Sequence, residues 1–178
     1  MTNEEGTGVM RAIECDRKTA ALYLLHYEER KADYEAARDE YLKKDGRAGG
    51  ARGSLPGKPT ETLAVKGADY DLQHDEYFWL QAVAIAERTL SDRRLIFLQV
   101  RREAEQKKGH LGFRSGRKAW RAYVQAVFPE RVEERYWQSE KPLYVSTMQR
   151  WWDEMVNTVM LAHSKLEKNH FGHVQNGG

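Results

Sequence analysis

Large apolar residues recur at helical spacing along most of the chain, and no long alternating strand pattern appears. In residues 16–44, Tyr27, Tyr34 and Tyr41 recur every seven residues between flanks of mixed charge. This pattern predicts a long helix with a tyrosine- and alanine-containing stripe. We expect the stripe to pack against a partner helix, in the same chain or in a second copy. Stacking of the tyrosines on nucleic-acid bases is the alternative.

A segment rich in glycine and proline then interrupts the helical pattern. Residues 45–60 hold five glycines and two prolines in sixteen positions, which predicts a linker or long loop. The segment contains a Gly-Lys pair but is not a phosphate-binding loop. Arg52 stands where the first glycine of that motif is required, and Pro59 stands where a magnesium-binding serine or threonine should follow Lys58.

Helical periodicity returns after the linker and continues through several predicted elements. Residues 61–90 predict a connecting helix, and Ser91 is a good N-cap for a helix that runs to about residue 108. Residues 120–128 predict another helix, which Pro129 should stop. A short helix over 130–138 should follow it.

The last predicted helix begins with a specific start signal. Ser146 and Gln149 have the spacing of a capping box. Downstream, a stripe that must be buried consists of Met148, Trp152, Met155, Val159, Ala162 and Leu166. We expect Trp151 to pack on a neighbouring helix; contact with a sugar-phosphate edge is the alternative.

The other face of this helix carries side chains that can make directional hydrogen bonds. They are Thr147, Gln149, Arg150, Asp153 and Asn157. A DNA-recognition helix has this division, because its apolar face is fixed to a scaffold while its first polar residues enter the major groove. An ordinary amphipathic helix has the same division. We predict that these five residues contact bases.

Charge is distributed unevenly along the sequence. Residues 91–121 contain ten lysines and arginines against three acids, a local charge of +7 in a chain whose total is +2. This basic block favours a polyanionic partner, although the solvated face of a charged helix is the alternative. The side chains predicted to contact DNA phosphates include Arg114, Arg117, Lys118, Arg121 and Lys141.

Length and composition fit a cytoplasmic protein. The chain has 178 residues, enough for one ordinary domain or a small domain with an appendage. Its one cysteine, Cys15, excludes an intramolecular disulfide and a cysteine-rich zinc site. The amino terminus lacks the apolar core of a signal peptide, and no apolar run approaches the roughly 20 residues of a membrane span.

Two groups of residues resemble metal ligands in type but are not predicted to bind a metal. Four acids crowd positions 69–76 around His74, and three histidines lie near the carboxyl terminus, at positions 163, 170 and 173. Neither group has a second local cluster to complete a coordination shell. No catalytic motif is present either. We predict no metal, no cofactor and no enzymatic activity.

Four segments, in their order along the chain, resemble a known family. They are LYLLHYEERK in the first helix, RGSLPGKPTE in the linker, and TLSDRRLIFLQVRR, followed later by the Ser-x-x-x-Arg-Trp-Trp helix. This arrangement resembles the RinA/ArpU-type transcriptional regulators of phages and prophages. That family controls late or packaging genes and is similar to the helix-turn-helix of sigma-factor region four.

The resemblance implies roles for particular residues. The recognition helix would begin at Ser146, and Arg101 and Arg102 would lie near the DNA backbone. One departure concerns the turn, because the segment between a scaffold helix at 120–128 and the recognition helix is much longer than usual. Either the segment 130–138 is the scaffold helix, or the motif is elaborated.

We therefore expect an all-α protein whose long amino-terminal helix and partner helix are joined by a Gly/Pro linker and followed by a helix-turn-helix-like domain. The expected units are 1–44, a packing or oligomerisation helix; 45–60, the linker; 61–90, the connecting helix; 91–170, the DNA-binding domain; and 171–178, a flexible tail.

The expected function is regulation of phage genes in the cytoplasm of a bacterial host. The partners would be double-stranded DNA and RNA polymerase, with a homodimer formed through the amino-terminal helix. The alternatives are a DNA-packaging factor like a terminase small subunit, and a helical protein-binding adaptor or inhibitor without a nucleic-acid role.

Overall fold

The computed structural model describes residues 3–47, 59–107, 119–137 and 141–175. Within these ranges the regular elements are seven helices, which confirms the all-α prediction. They are α1 (Asn3–Leu25), α2 (Tyr27–Arg47), α3 (Pro59–Gln73), α4 (Asp75–Thr89), α5 (Asp92–Gln106), α6 (Ala119–Tyr136) and α7 (Val145–Gln175). None of the described helices combines the length and apolar character that crossing a membrane requires. Most of the predicted linker, residues 48–58, and the end of the predicted tail lie outside the described residues.

The first predicted helix is longer than expected and is bent. It starts at Asn3 instead of near residue 16, and it bends at His26, where α1 gives way to α2. Backbone hydrogen bonds from His26 N to Leu22 O (3.0 Å) and from Arg30 N to His26 O (2.9 Å) cross the bend. The two helices therefore form one nearly continuous rod.

The tyrosine stripe of this rod packs within the chain, as the packing interpretation predicts. Tyr34 is buried, and its hydroxyl donates a 2.7 Å hydrogen bond to Asp71 on α3. The Arg38 guanidinium donates to both oxygens of the same carboxylate, at 2.7 and 3.2 Å. Gly67 permits this approach, because a Cβ there would collide with the Arg38 guanidinium. The stripe is thus occupied by α3 and α4, and the predicted homodimer through this helix stays a prediction.

The predicted connecting helix 61–90 is two helices. His74 separates α3 from α4 with an extended backbone, at φ −114° and ψ 115°. Its imidazole Nδ1 lies 2.7 Å from the carbonyl of Tyr70 and its ring stacks on the Tyr70 ring. The break lets α4 turn away from α3 and lie beside α7.

Helix α7 is the centre of the fold. It packs along α4 and α1, and its first turns cross the antiparallel pair of α5 and α6. The pair is joined at one end by Tyr136 and Asp92, and at the other by Lys107 and Tyr123. Buried residues from both sides of Ser91 form one continuous core. The core therefore continues across the expected boundary at residue 91, and the helix-turn-helix-like domain at 91–170 stays a prediction.

Helix α5 begins as predicted, whereas α6 does not end as predicted. Ser91 is the N-cap of α5, although its side chain makes no capping hydrogen bond. Helix α6 continues through Pro129 to Tyr136, so the stop at Pro129 and the separate helix at 130–138 are wrong. Phe128 and Val132 are both buried on the same face, and their packing outweighs the backbone hydrogen bond that proline cannot donate.

The start of α7 differs by two residues from the predicted capping box. The carbonyl of Tyr144 accepts the first helical hydrogen bond, from Met148 N at 3.0 Å, so Tyr144 rather than Ser146 is the N-cap. The predicted apolar stripe is confirmed, since Met148, Met155 and Val159 are buried and the rest of the stripe packs against the core.

Candidate nucleic-acid interface

In the first two turns of α7, the side chains predicted to contact bases differ in their exposure and in their hydrogen bonds. Arg150 is exposed, with 67% of its side chain accessible, and its Nε lies 3.8 Å from Glu154. Thr147 is half-buried. Gln149 is held from both sides, because its Oε1 accepts a 2.8 Å hydrogen bond from Arg121 and its Nε2 donates to Asp153 at 3.2 Å. Among Thr147, Gln149 and Arg150, Arg150 is therefore the exposed residue.

The next turns of the polar face are engaged by α1. The Arg17 guanidinium donates to Asp153 at 2.5 Å and to Asn157 at 3.2 Å. Arg17 thus lies over the part of α7 that a DNA groove would have to admit. The Asp153 carboxylate and the Asn157 Oδ1 are thus engaged by a neighbouring helix, and base contacts by these two residues stay a prediction.

Arg101 and Arg102 do not have the exposure that phosphate contacts require. Arg101 is buried between the rings of Trp120 and Trp152, with its guanidinium carbon 4.6 and 5.3 Å from their centroids. Its Nη1 donates to Glu105 at 3.0 Å, and burial lowers the pKa of its guanidinium.

Arg102 bridges three helices in the same way. Its Nε donates to the carbonyl of Leu24 on α1 at 2.8 Å, and its Nη2 donates to Glu87 on α4 at 2.5 Å. Only 16% of the side chain is exposed. Both guanidinium groups thus join helices in the structure, and the expectation that Arg101 and Arg102 lie at the DNA backbone stays a prediction.

Of the other five residues predicted to contact DNA phosphates, three lie outside the described part of the chain and two lie within it. Arg114, Arg117 and Lys118 lie outside the described residues, immediately before α6 in sequence. Arg121 is in the first turn of α6 and half-buried, and Lys141 is exposed shortly before α7. The carbonyl of Leu143 accepts a 3.1 Å hydrogen bond from the Gln125 side chain, which fixes the segment before α7 against α6.

Four contacts at this end of α7 join residues that are far apart in the sequence. Arg94 on α5 donates to Glu154 at 2.5 Å, and its guanidinium lies 5.7 Å from the Trp151 ring. Trp151 meets Phe97 and Phe128 edge to face, with centroids 5.7 and 6.2 Å apart, which confirms the packing prediction for this tryptophan. Only the fold brings these partners together.

A second cluster contains one residue from each of the two groups that resemble metal ligands in the sequence. Asp75 opens α4, and His163 and Glu167 lie one turn apart on α7. The imidazole Nε2 of His163 lies 3.0 Å from Asp75 Oδ1, and its Nδ1 lies 3.5 Å from Glu167 Oε2. The absence of a metal site stays a prediction, and this cluster is the place where it can be tested.

Comparison with known proteins gives no relative from which to carry a function. No family model matches the chain, and neither the curated proteins nor the solved structures contain a match. The resemblance to RinA/ArpU-type regulators therefore rests on the sequence pattern alone.

Proposed function

We propose that the protein binds duplex DNA through the corner where the first turns of α6 and α7 meet. This amino-terminal corner comprises Arg121, Lys141, Thr147, Gln149 and Arg150. The observation that carries the proposal is the exposure of Arg150, since 67% of its side chain is accessible. An exposed guanidinium on a helix start can bond a phosphate or the edge of a guanine with two hydrogen bonds.

Backbone electrostatics favour an anion at the same corner. The hydrogen bond between Arg121 and Gln149 joins the starts of α6 and α7 at 2.8 Å. The start of α7 presents backbone N–H groups without an intrahelical partner and a partial positive charge. This helix end, with Arg121 and Arg150 beside it, makes a favourable position for a phosphate.

This proposal assigns base contacts to fewer residues than the sequence pattern does. Thr147 and Arg150 are the residues available for it, while Gln149 would first have to release Arg121 and Asp153. The extension to a phage-type transcriptional regulator that contacts RNA polymerase rests on the sequence resemblance described above.

The test is fluorescence polarisation of labelled duplex DNA across a salt series. Arg150→Ala should weaken binding several-fold and reduce the salt slope by about one counterion, because one phosphate contact is lost. Lys168→Ala is the matched control, since Lys168 is also an exposed cation of α7 but lies about 27 Å further along the helix. That variant should bind DNA like the wild type.

Three outcomes would overturn the proposal or its extension. Absence of DNA binding at low salt would favour the adaptor, an interpretation that the internal pairing of Arg94, Arg101 and Arg102 also favours. Equal losses in the Arg150 and Lys168 variants would refute the assigned corner. A ring of many subunits by light scattering, together with DNA binding, would favour a packaging factor over a regulator.

A further inference from the structure

The cluster of Asp75, His163 and Glu167 has the composition and spacing of a metal site. One ligand atom from each residue lies within 4.8 Å of the other two. Two donors on a tetrahedral zinc ion are about 3.4 Å apart, given bonds of roughly 2.0–2.1 Å. Asp75 lies at Nε2 of His163 and Glu167 lies nearer Nδ1, so an ion bound at Nε2 requires the Glu167 carboxylate to move toward Nε2. This movement is about 1–2 Å, and the half-exposed Glu167 side chain can make it by rotation.

Trp79 fixes two of the three side chains in place. Its indole ring stacks on the imidazole of His163 with centroids 3.6 Å apart and planes at 12°. Its Nε1 donates a 2.9 Å hydrogen bond to Asp75 Oδ2, which leaves Oδ1 directed at His163. Outer partners of this kind orient ligands and are a regular part of metal sites.

The cleft beside the cluster has an excess of negative charge. It has a volume of about 450 Å³ and is lined by Asp16, Trp79, Asn157, Met160, Leu161, His163, Ser164 and Glu167. Among these described lining residues there are two carboxylates and no lysine or arginine. A cation would balance this charge, and the space in front of the cluster can hold further ligands of that cation.

We propose that Asp75, His163 and Glu167 bind one Zn²⁺ ion, which links the start of α4 to α7 and completes its shell with water from the cleft. Zinc accepts a ligand set of one imidazole nitrogen and two carboxylate oxygens, because both groups are among its ordinary protein ligands. Two ionised carboxylates neutralise the ion. This site is on α4 and α7, apart from the amino-terminal corner, and is independent of the DNA proposal.

The test is zinc titration of the chelator-treated full chain by calorimetry, with Co²⁺ absorption as a second readout. The wild type should bind one ion per chain, and Co²⁺ should give the visible bands of a low-coordinate nitrogen and oxygen site. Glu167→Gln should weaken zinc binding at least tenfold. This substitution changes a half-exposed side chain, so it decides the outcome even if His163→Gln does not fold.

The matched control is a second histidine–glutamate contact among the described residues. His26 Nδ1 lies 3.3 Å from Glu29 Oε2, and neither residue belongs to a three-residue ligand cluster in the described part of the chain. His26→Gln and Glu29→Gln should leave zinc affinity unchanged. Zinc binding that survives Glu167→Gln at full strength would overturn the proposal, as would binding abolished only by His170→Gln. So would failure of the wild type to bind zinc.

Discussion

Replacing Arg101 by methionine should leave the protein about as stable as the wild type, whereas alanine at the same position should destabilise it. The guanidinium lies between Trp120 and Trp152 and reaches one carboxylate, that of Glu105. Its Nε is buried without a hydrogen-bond partner. The arginine side chain therefore packs well against its neighbours, but its guanidinium lacks a hydrogen bond at Nε.

The magnitudes follow from these contacts. Alanine removes the stem and two contacts with aromatic rings, each of about 0.5–1 kcal/mol or more, and leaves a cavity. The total loss should be about 2–4 kcal/mol, as for other large-to-small changes in a core. Methionine keeps the unbranched stem, and the bond lost to Glu105 is offset by removal of the unpaired buried Nε. Because the Glu105 carboxylate keeps contact with water, at 19% exposure of its side chain, after it loses this partner, we expect Arg101→Met to lie within about 1 kcal/mol of the wild type.

Urea unfolding followed by circular dichroism measures both variants, and polarisation measures their DNA affinity. Arg101→Met should bind DNA like the wild type, because the buried guanidinium contacts no solvent-facing ligand. A methionine variant as unstable as the alanine variant would refute the view that volume dominates at this position. A stable methionine variant with weak DNA binding would mean that Arg101 leaves its site to reach a phosphate.

Two further changes test other parts of the fold. Burial and the bond to Asp71 raise the pKa of Tyr34 above the ordinary 10.0, so above that pH the unfolded chain loses a proton that the folded chain keeps. The urea midpoint should fall as pH rises through about 10, and Tyr34→Phe should make that fall shallower. Pro129→Ala should stabilise the protein by about 1–3 kcal/mol, measured by thermal unfolding, because alanine restores a helical donor; an unchanged or lower midpoint would contradict this.

The sequence predicted best those features that depend on neighbours along one helix. Ser91 marks the start of α5, and the apolar stripe from Met148 identifies the buried face of α7. Both signals repeat with the helical period, so burial follows from spacing alone. Packing of the tyrosine stripe was predictable for the same reason, but its partner helix was not.

Predictions from neighbouring residues were wrong where contacts with residues distant in the sequence opposed them. Proline disfavours the interior of a helix, yet Phe128 and Val132 both have to reach the core from one continuous face. The N-cap of α7 is Tyr144 instead of Ser146, because Gln149 is bonded to Arg121 and Asp153 and does not close a capping box. In each case a contact with another helix determined which local preference was kept.

The candidate sites depend even more on contacts between residues that are far apart in the sequence. An arginine in a basic block can meet a phosphate or a carboxylate, and its own sequence neighbourhood is the same in both cases. Arg94 meets Glu154 sixty residues away, and Asp75 meets His163 across 88 residues. The first pairing engages a cation that the charge count treats as free, and the second brings together residues from two groups that are each incomplete as metal ligands. Charge counts therefore overstate the free cations of a surface, and ligand spacing along the sequence does not reveal a candidate cluster, when the partners come from different helices.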